Sequence, residues 1–300
     1  MNTREFRALA KPYVVTDGRR FRLKHFDPKG PGPKAMHHDA KKFLKKSVKA
    51  LSALQEKLYA QDRWGVLLIF QAMDAAGKDS AIKHVMSGID PKGCQVYSFK
   101  APSSEELDHD FMWRTSKALP ERGRIGIFNR SYYEETLVVR VHPEFLGHQK
   151  LPTKLITNRI WKERFQDINA FERYMSRNGF VIRKFFLNVS RAEQRRRFLD
   201  RLVRPEKNWK FAMGDLEERA CWRAYMTAYE ETIRATATPH APWVVIPADD
   251  KKFARTVVAA AVIDALNGLA LEFPAIDKAD RRALAGARRA LEREGRRIKP

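Results

Sequence analysis

One segment constrains the fold more than any other: a continuous apolar run over residues 64–70 that leads directly into a loop of small residues and then a helical pattern. An apolar run of this length is typical of a strand that is covered on both faces of a parallel sheet. The loop ends in Gly77 and Lys78, where the helix begins. This order predicts a phosphate-binding loop, because the free backbone amides at the start of a helix bind anions.

The loop meets the chemical requirements of a phosphate site. Residues 75–77 are small enough for successive backbone amides to point inward, and Lys78 offers a cation to the terminal phosphates. Two positions depart from the usual pattern, since Ala72 replaces the first glycine and Asp79 replaces the metal-binding serine or threonine. The alternative is an ordinary strand-to-helix turn with a surface lysine, which the flanking strand and helix patterns make the weaker interpretation.

Further apolar runs of strand length alternate with helical patterns along the chain. Strand, helix, strand alternation implies right-handed crossovers between parallel strands. We therefore predict an α/β protein, a three-layer α/β/α sandwich with a mainly parallel sheet, of the P-loop kinase type with a helical lid. The additional predicted strands are residues 95–99, 125–128, 180–189 and 243–246.

The chain divides into three parts by composition. Residues 1–38 are polar and rich in proline and glycine near their end, so we expect an extended N-terminal arm. Residues 39–272 are expected to form a single kinase domain, which includes a strongly basic lid at about 191–213. Residues 273–300 are basic with few large apolar side chains, and we expect a C-terminal helix or tail.

The charge balance indicates an anionic ligand. Lysine and arginine number 58 against 36 aspartates and glutamates, which gives a net charge of +22. Nucleic acid, an acidic membrane surface and a small or polymeric phosphate all fit this charge. A basic surface kept for solubility is the weaker alternative, because self-repulsion destabilises the compact state.

Other sequence features exclude several classes of protein. The first residues contain Arg4 and Arg7, which disfavours a secretory signal, and the longest purely apolar run, 257–263, is too short to span a bilayer. The two cysteines, Cys94 and Cys221, have no paired spacing that would suggest zinc or a disulfide. We expect a cytoplasmic protein that does not bind a membrane.

Asp74 is an unusual residue inside a phosphate-binding loop. Its carboxylate would repel phosphate unless a metal ion or a protonated acceptor offset the charge, so its presence favours a role with Mg²⁺ or with the incoming nucleophile. An aspartate that forms a local turn is the competing interpretation.

The strand at 125–128 is followed by a second group of polar residues. P-loop proteins usually place an acidic metal ligand at this strand end, whereas this chain has Asn129. Arg130 follows at the edge of the sheet where open α/β sheets bind ligands. A guanidinium matches phosphate oxygens, so we favour phosphate contact over simple pairing with Glu134.

These motifs together resemble the polyphosphate kinase 2 family, and they occur in the family's order. The resemblance extends over residues 21–270. It is carried by residues 73–80 (MDAAGKDS), 128–134 (FNRSYYE), 193–198 (EQRRRF) and 205–210 (PEKNWK).

The resemblance implies a thymidylate-kinase-like fold that moves the terminal phosphate of inorganic polyphosphate onto AMP or ADP, reversibly and with Mg²⁺, Mn²⁺ being the alternative ion. It also implies that Asp74 orients the acceptor phosphate with the metal and that Lys78 neutralises charge. Asn129 resembles the class III subgroup, whose members accept both AMP and ADP, and guanine nucleotides are an alternative to adenine nucleotides. Arg130, Arg197 and Arg201 match family positions.

The lid sequence supports this interpretation independently. Arg197, Arg201 and Arg204 are spaced four and three residues apart, so one helical face would present three guanidinium groups to a phosphate chain. A solvated basic helix face is the alternative. We predict Asp74, Lys78 and Arg130 as catalytic residues and Asp74 as the metal ligand. The predicted binding residues are Ala75, Ala76, Gly77, Asp79, Ser80, Asn129, Glu134, Arg197, Arg201, Arg204 and Lys207.

Two other functions remain open on the sequence. An ATP-dependent small-molecule or nucleoside monophosphate kinase would share the loop but would leave the basic excess unexplained. A basic nucleic-acid-binding protein would explain the charge, although the chain has no zinc finger, RNP-type motif or helix-turn-helix pattern, so we expect no specific nucleic-acid partner. Peripheral helices that could pair subunits lead us to expect a homo-oligomer.

Overall fold

The structure, a computed structural model, describes residues 3–31 and 40–297. Its centre is a six-stranded sheet with the order β1-β6-β5-β2-β4-β3, in which only β1 runs antiparallel to its neighbour. The predicted strands are all present, with ends that differ by at most one residue. The strands are β1 (Val14–Val15), β2 (Gly65–Gln71), β3 (Cys94–Ser98), β4 (Ile125–Asn129), β5 (Phe180–Asn188) and β6 (Trp243–Pro247).

Helices cover both faces of the sheet, which confirms the predicted three-layer architecture. On one face α12 packs against α1, α2 and α3, and on the other α11 packs against α6 and α7. The helices are α1 (Thr3–Ala10), α2 (Ala40–Gln61), α3 (Lys78–Met86), α4 (Ser104–Leu107), α5 (Trp113–Ser116), α6 (Val138–Val141), α7 (Ile160–Arg177), α8 (Arg191–Val203), α9 (Pro205–Asn208), α10 (Gly214–Ala220), α11 (Trp222–Thr236), α12 (Lys251–Asn267) and α13 (Lys278–Arg297).

Strand β2 lies in the middle of the hydrophobic core. All seven of its residues are buried, as a strand between two helical layers requires. Its Phe70 stacks on Phe185 of β5, with ring centroids 4.7 Å apart. Because β2, β4, β5 and β6 run parallel, their carboxyl ends meet at one edge of the sheet, where the loop after β2 lies.

The N-terminal segment differs from the expected extended arm. Residues 3–10 form helix α1, whose Phe6 and Ala10 are buried, and the Phe6 ring meets Phe43 of α2 at 5.2 Å. Val14 then pairs with Val244 of β6. The expectation of an extended arm is wrong for these residues, because two apolar side chains four residues apart are enough to bury one helical face. Residues 32–39 of the predicted arm lie outside the described residues.

The C-terminal segment is a helix rather than a tail over residues 278–297. Its described side chains are exposed, including Leu284 and Leu291. None of the described helices has the length and apolar character needed to cross a membrane. Both cysteines are free, and burial raises the pKa of the Cys94 thiol to about 12.

A fully buried ion pair lies behind the sheet edge. Lys184 of β5 donates to Glu172 of α7 at 2.6 Å, to the hydroxyl of Tyr133 at 3.0 Å and to the carbonyl oxygen of Thr236 at 2.8 Å. The other oxygen of Glu172 accepts from the hydroxyls of Tyr132 and Tyr133, at 3.0 and 2.7 Å. Every charged group of this cluster thus has hydrogen-bond partners, as burial of charge demands.

Candidate functional site

The loop between β2 and α3 has the backbone of an anion site. Gly77 precedes the first residue of α3 with a φ of 106°, and Ala75 has a φ of 60°. These left-handed conformations turn the chain sharply before the helix, and glycine adopts them without steric cost. The loop thereby places the free N-terminal amides of α3 beside the edge of the sheet.

Arg197 of α8 holds this loop in place from behind. Its guanidinium donates to the carbonyl oxygens of Ala75 and Ala76 at 3.0 and 2.7 Å, and to those of Ala248 and Asp249 at 2.6 and 3.0 Å. The residue is only 4% exposed. The prediction that Arg197 presents its charge to a phosphate chain is therefore corrected: its Nη donors are occupied by backbone carbonyl oxygens.

The first turn of α8 reinforces the same contact. Ser190 accepts from the amide of Glu193, and the Glu193 carboxylate accepts from Arg196 and Arg197. Hydrogen bonds from Arg196 and Arg197 hold the pKa of Glu193 below its usual value. Gln194 adds a hydrogen bond of 3.0 Å to the carbonyl oxygen of Asp74. Hydrogen bonds thus join the first turns of α8 to the phosphate-binding loop.

Lys78 is the first residue of α3, and its ammonium bonds back to the loop. Its Nζ donates to the carbonyl oxygen of Ala72 at 2.9 Å. Burial lowers the pKa of Lys78, while the carboxylate of Asp74 opposes this change. An ammonium with further donors is therefore available beside the helix start.

Asp74 and Arg130 face each other across the site. The Arg130 guanidinium lies 3.4 Å from an oxygen of Asp74 and 3.9 Å from one of Glu134. Burial opposes the charge of Arg130, but Glu134 and Asp74 outweigh it and raise the pKa of the guanidinium. Glu134 also accepts from Gln71 at 3.0 Å. Both sequence interpretations of Arg130 hold geometrically, because long ion pairs leave donors for a ligand.

The unusual residues Asn129 and Asp79 interact with each other. The amide nitrogen of Asn129 donates to Asp79 at 2.9 Å and approaches the Ser98 hydroxyl at 3.4 Å. The amide oxygen of Asn129 is buried, and no described residue donates a hydrogen bond to it. Ser80 hydrogen-bonds to Arg255 of α12. The two atypical residues therefore hydrogen-bond to each other, and the buried amide oxygen of Asn129 is left for a ligand.

The lid residues separate into two groups. Arg201 donates to the carbonyl oxygen of Lys210 at 2.8 Å and lies 3.3 Å from Asp215, and Lys207 bonds to Asp200 at 2.5 Å. Arg204 instead pairs with Glu206 and lies 4.0 Å from Asp200.

The prediction that Arg204 shares a helical face with Arg197 and Arg201 is wrong. Helix α8 ends at Val203, and Arg204 has an extended backbone with φ of −101° and ψ of 108°. Pro205 explains this end, because a residue before proline is disfavoured in the helical conformation.

Most of the predicted residues line one cavity of about 280 Å³, which we call the basic cavity. Seven Lys or Arg and three Asp side chains surround it, so it favours an anion. The lining includes Lys210 and Lys251, which the sequence analysis missed. Lys251 begins the helix after β6. Residues that follow the carboxyl end of a strand lie at the edge where open α/β sheets bind ligands, so the sequence did hold a signal for Lys251. The lining residues are Met73, Asp74, Ala75, Ala76, Gly77, Lys78, Asp79, Ser80, Asn129, Arg130, Arg197, Asp200, Arg201, Lys207, Lys210 and Lys251.

A second cavity of about 260 Å³ adjoins the first, and we call it the apolar cavity. Arg130 lines both cavities, and Glu134 lines only the second. The sequence analysis did not predict the remaining lining residues, because they come from loops and short helices without a motif. These are Lys100, Ala101, Pro102, Leu107, Arg114, Glu135, Val138, Val139, Phe145, His148 and Gln149.

A third and larger cavity, of about 770 Å³, lies between residues 23–28 and α11. None of the predicted site residues lines it. Its charges are mixed, since Lys24, Arg191 and Arg234 face Glu230 and Glu231. We therefore place the candidate site in the two adjoining cavities.

The site residues fit a magnesium ion. Within the described residues, no group of three or more His, Cys, Asp or Glu side chains is placed to hold a metal. Mg²⁺ does not need such a cage, because it keeps several waters and usually binds one or two carboxylates together with substrate phosphates. The Asp74 carboxylate and the unpartnered Asn129 oxygen are suitable hard donors in the basic cavity.

Comparison with known proteins identifies a family and agrees with the fold. The family described as Polyphosphate kinase 2 (PPK2) matches residues 34–274. An ADP-polyphosphate phosphotransferase of Rhodopseudomonas palustris is 51% identical over 83% of this chain and 86% of its own length. An AMP/ADP-polyphosphate phosphotransferase of Meiothermus ruber is 42% identical over 88% and 95%. The crystal structure of polyphosphate kinase 2 from Arthrobacter aurescens TC1 superposes with a TM-score of 0.83, at 40% identity over 93% of this chain and 96% of that one.

Proposed function

Because the chain belongs to the polyphosphate kinase 2 family, we propose that it transfers the terminal phosphate of inorganic polyphosphate onto AMP and ADP. One observation carries the assignment of roles: Arg130 lines both the basic cavity and the apolar cavity. A group at this junction contacts a phosphate that passes from one cavity to the other. The donor therefore occupies the basic cavity and the acceptor nucleotide the apolar one.

The basic cavity suits a linear polyanion. Lys207, Lys210 and Lys251 line it on the side of the lid and α12, while the phosphate-binding loop closes its other end. Burial and the neighbouring charge of Arg197 lower the pKa of Lys251, which indicates a crowded positive field. An anionic chain relieves this repulsion, so we expect donor binding to weaken as salt rises.

The apolar cavity suits a nucleoside. Leu107, Val138, Val139 and Phe145 give it an apolar wall, and Arg114 stands within it. An apolar slot with a few polar groups is the usual environment of a bound base and sugar. The acceptor phosphate would then lie toward Arg130 and Asp74.

Catalysis follows from positioning and charge. Phosphoryl transfer needs little covalent help from the protein, so the amides after Gly77, the Lys78 ammonium and Arg130 act by holding the phosphates in line and neutralising them. Asp74 keeps the acceptor phosphate in place by way of its partner Arg130. When bound by Asp74 and Asn129, Mg²⁺ would add Lewis-acid neutralisation of the phosphate oxygens. The same geometry serves transfer in either direction.

Acceptance of both AMP and ADP is the finer part of this proposal. It is supported by Asn129, which resembles the class III subgroup, and by the Meiothermus ruber relative, which is named an AMP/ADP-polyphosphate phosphotransferase. Guanine nucleotides, Mn²⁺ as the alternative ion, a cytoplasmic location and a homo-oligomer belong to the same proposal. The exposed Leu284 and Leu291 on α13 support self-association.

The test is an assay of purified protein with Mg²⁺, polyphosphate and either AMP or ADP, without ATP. We expect ADP from AMP and ATP from ADP. An Ala101→Trp variant, altered at the exposed mouth of the apolar cavity, should raise the KM for nucleotide while the KM for polyphosphate stays unchanged. Activity only with an ATP donor would identify an ordinary kinase instead, and tight nucleic-acid binding without transfer would identify a binding protein.

A further inference from the structure

Helix α13 has two chemically different faces. At 100° per residue, its described lysine and arginine side chains fall within an arc of about 140°. The opposite side carries Ala283, Leu284, Ala287, Ala290 and Leu291. The basic residues are Lys278, Arg281, Arg282, Arg288, Arg289 and Arg293, which we call the basic face.

The basic face is open to solvent and dominated by one sign of charge. All six of its side chains are exposed. Glu292 is the one carboxylate that falls within the same arc, and it bonds to Arg288 at 2.7 Å. Asp280 and Glu294 fall on the other side of the helix. The face therefore keeps a net excess of cations along a helix of 20 residues, about 30 Å long.

This face lies outside the catalytic site. None of the described residues of α13 lines the basic cavity. Lys251, which does line it, begins α12, and the connector to α13 leaves the other end of that helix after Asn267. The 17 residues of α12 separate these points by about 25 Å. Residues 268–277 then precede α13, so we expect only a long ligand to contact both the cavity and α13.

We propose that the basic face of α13 is an accessory site for the distal part of long-chain polyphosphate; this inference rests on the proposed function. The argument is charge complementarity, because polyphosphate is a polyanion with a charge on every repeating unit. A chain held at both the basic cavity and α13 rebinds at high local concentration after either end releases. A short chain occupies only the basic cavity.

The basic face favours polyphosphate over a second copy of this chain. Two copies of α13 that met through this face would bring like charges together, which destabilises a contact. The apolar face is the part suited to another protein, and it is separate from the six cations. Nucleic acid shares the phosphate chemistry and is distinguished by the experiment.

The experiment compares a variant with Arg281→Gln, Arg282→Gln and Arg289→Gln with the unaltered chain. The KM for long-chain polyphosphate should rise at least about threefold through loss of the second attachment. The KM for tripolyphosphate and kcat should stay unchanged. Direct binding of long-chain polyphosphate should weaken in parallel, and its salt dependence should become shallower.

A matched control removes the same charge from another exposed helix face, with Lys41→Gln, Lys45→Gln and Lys49→Gln on α2. The control should leave the KM for long chains unchanged. An equal rise in the control, an equal rise for tripolyphosphate, or no change for long chains in either KM or binding would overturn the proposal. So would a variant that loses nucleic-acid binding alone.

A further variant, Leu284→Gln with Leu291→Gln, addresses self-association. If it reproduced the rise in KM together with a smaller assembly, the effect would belong to subunit pairing and the proposal would fail. Activity of the unaltered chain on tripolyphosphate tests the proposed function separately. Long-chain binding by the arginine variant decides the accessory site even where turnover is absent.

Discussion

Two lysines next to the central strand differ in how many of their donors bond to the protein. Lys184 is fully buried, and its ammonium donates to Glu172, Tyr133 and the carbonyl oxygen of Thr236. Lys78 donates to the carbonyl oxygen of Ala72 and otherwise faces the basic cavity. Burial lowers the pKa of both groups, and a carboxylate opposes the change in each case.

The difference lies in how completely each charge is satisfied. An ammonium has three donors, and those of Lys184 all meet protein acceptors, so it stabilises one arrangement of the core. Lys78 keeps donors for a ligand, at the cost of a less satisfied charge. A buried polar group with all its partners indicates structure, and one with donors left over beside a cavity indicates function.

Replacement of Lys184, whose three donors all have partners, should have the strongest consequence. Lys184→Met would leave the Glu172 carboxylate buried without its partner, which should lower the free energy of unfolding by about 3–5 kcal/mol. Urea unfolding followed by circular dichroism measures this loss. The double variant Lys184→Met with Glu172→Leu removes the stranded charge and should recover part of the stability. A single variant as stable as the unaltered chain would contradict the role given to this pair.

Lys78→Ala should lose activity while it keeps its stability. Loss of the ammonium should lower kcat by about a hundred- to a thousandfold, since it removes a cation that neutralises the phosphoryl group in transfer. The unfolding midpoint should stay close to that of the unaltered chain. Lys83→Ala, an exposed lysine of the same helix, is the control and should retain full activity. Near-normal turnover of Lys78→Ala would remove the phosphate-binding loop from the mechanism.

The lid arginines Arg197 and Arg204 give a similar contrast. The donors of Arg197 are used within the protein, whereas Arg204 is exposed. Arg197→Lys cannot reproduce the bonds to four carbonyl oxygens, so the loop should shift and kcat should fall about ten- to a hundredfold. The KM for polyphosphate should change less than kcat, because Arg197 positions the loop and its donors already bond to backbone carbonyl oxygens and to Glu193. Arg204→Gln should leave both constants almost unchanged. If Arg204 mattered more than Arg197, the lid would adopt another arrangement during turnover.

The smallest effect is a shift in the alkaline pH limit. Activity needs the Lys78 ammonium, and its lowered pKa means that the proton leaves below the ordinary lysine value of 10.5. The value of kcat/KM for polyphosphate should therefore fall as pH rises through this lowered pKa. The limb of kcat should lie at higher pH, because bound phosphate stabilises the ammonium. Burial also lowers the pKa of Lys251, so a Lys251→Met variant tests which lysine sets the limb.

The strands and the phosphate-binding loop could be predicted because their determinants are local. A run of apolar residues between turn signals specifies a buried strand, and residues 72–78 carry the small side chains and the lysine in one stretch of sequence. Helix α1 and strand β1 were missed, since eight residues with two buried side chains and a two-residue strand provide too little pattern to read. The apolar cavity was missed because its walls come from separate loops.

Local sequence patterns predicted the alternation of parallel strands and helices, the loop with Asp74 and Lys78, and a strongly basic lid. Only the folded chain shows which of those charges remain available to a ligand. Arg197 and Arg204 look equivalent in the sequence, yet the first meets carbonyl groups about 120 residues away at Ala75 and Ala76, while the second follows the end of α8. Satisfaction of a charged group depends on partners brought together by folding, and such partners leave no local pattern in the chain.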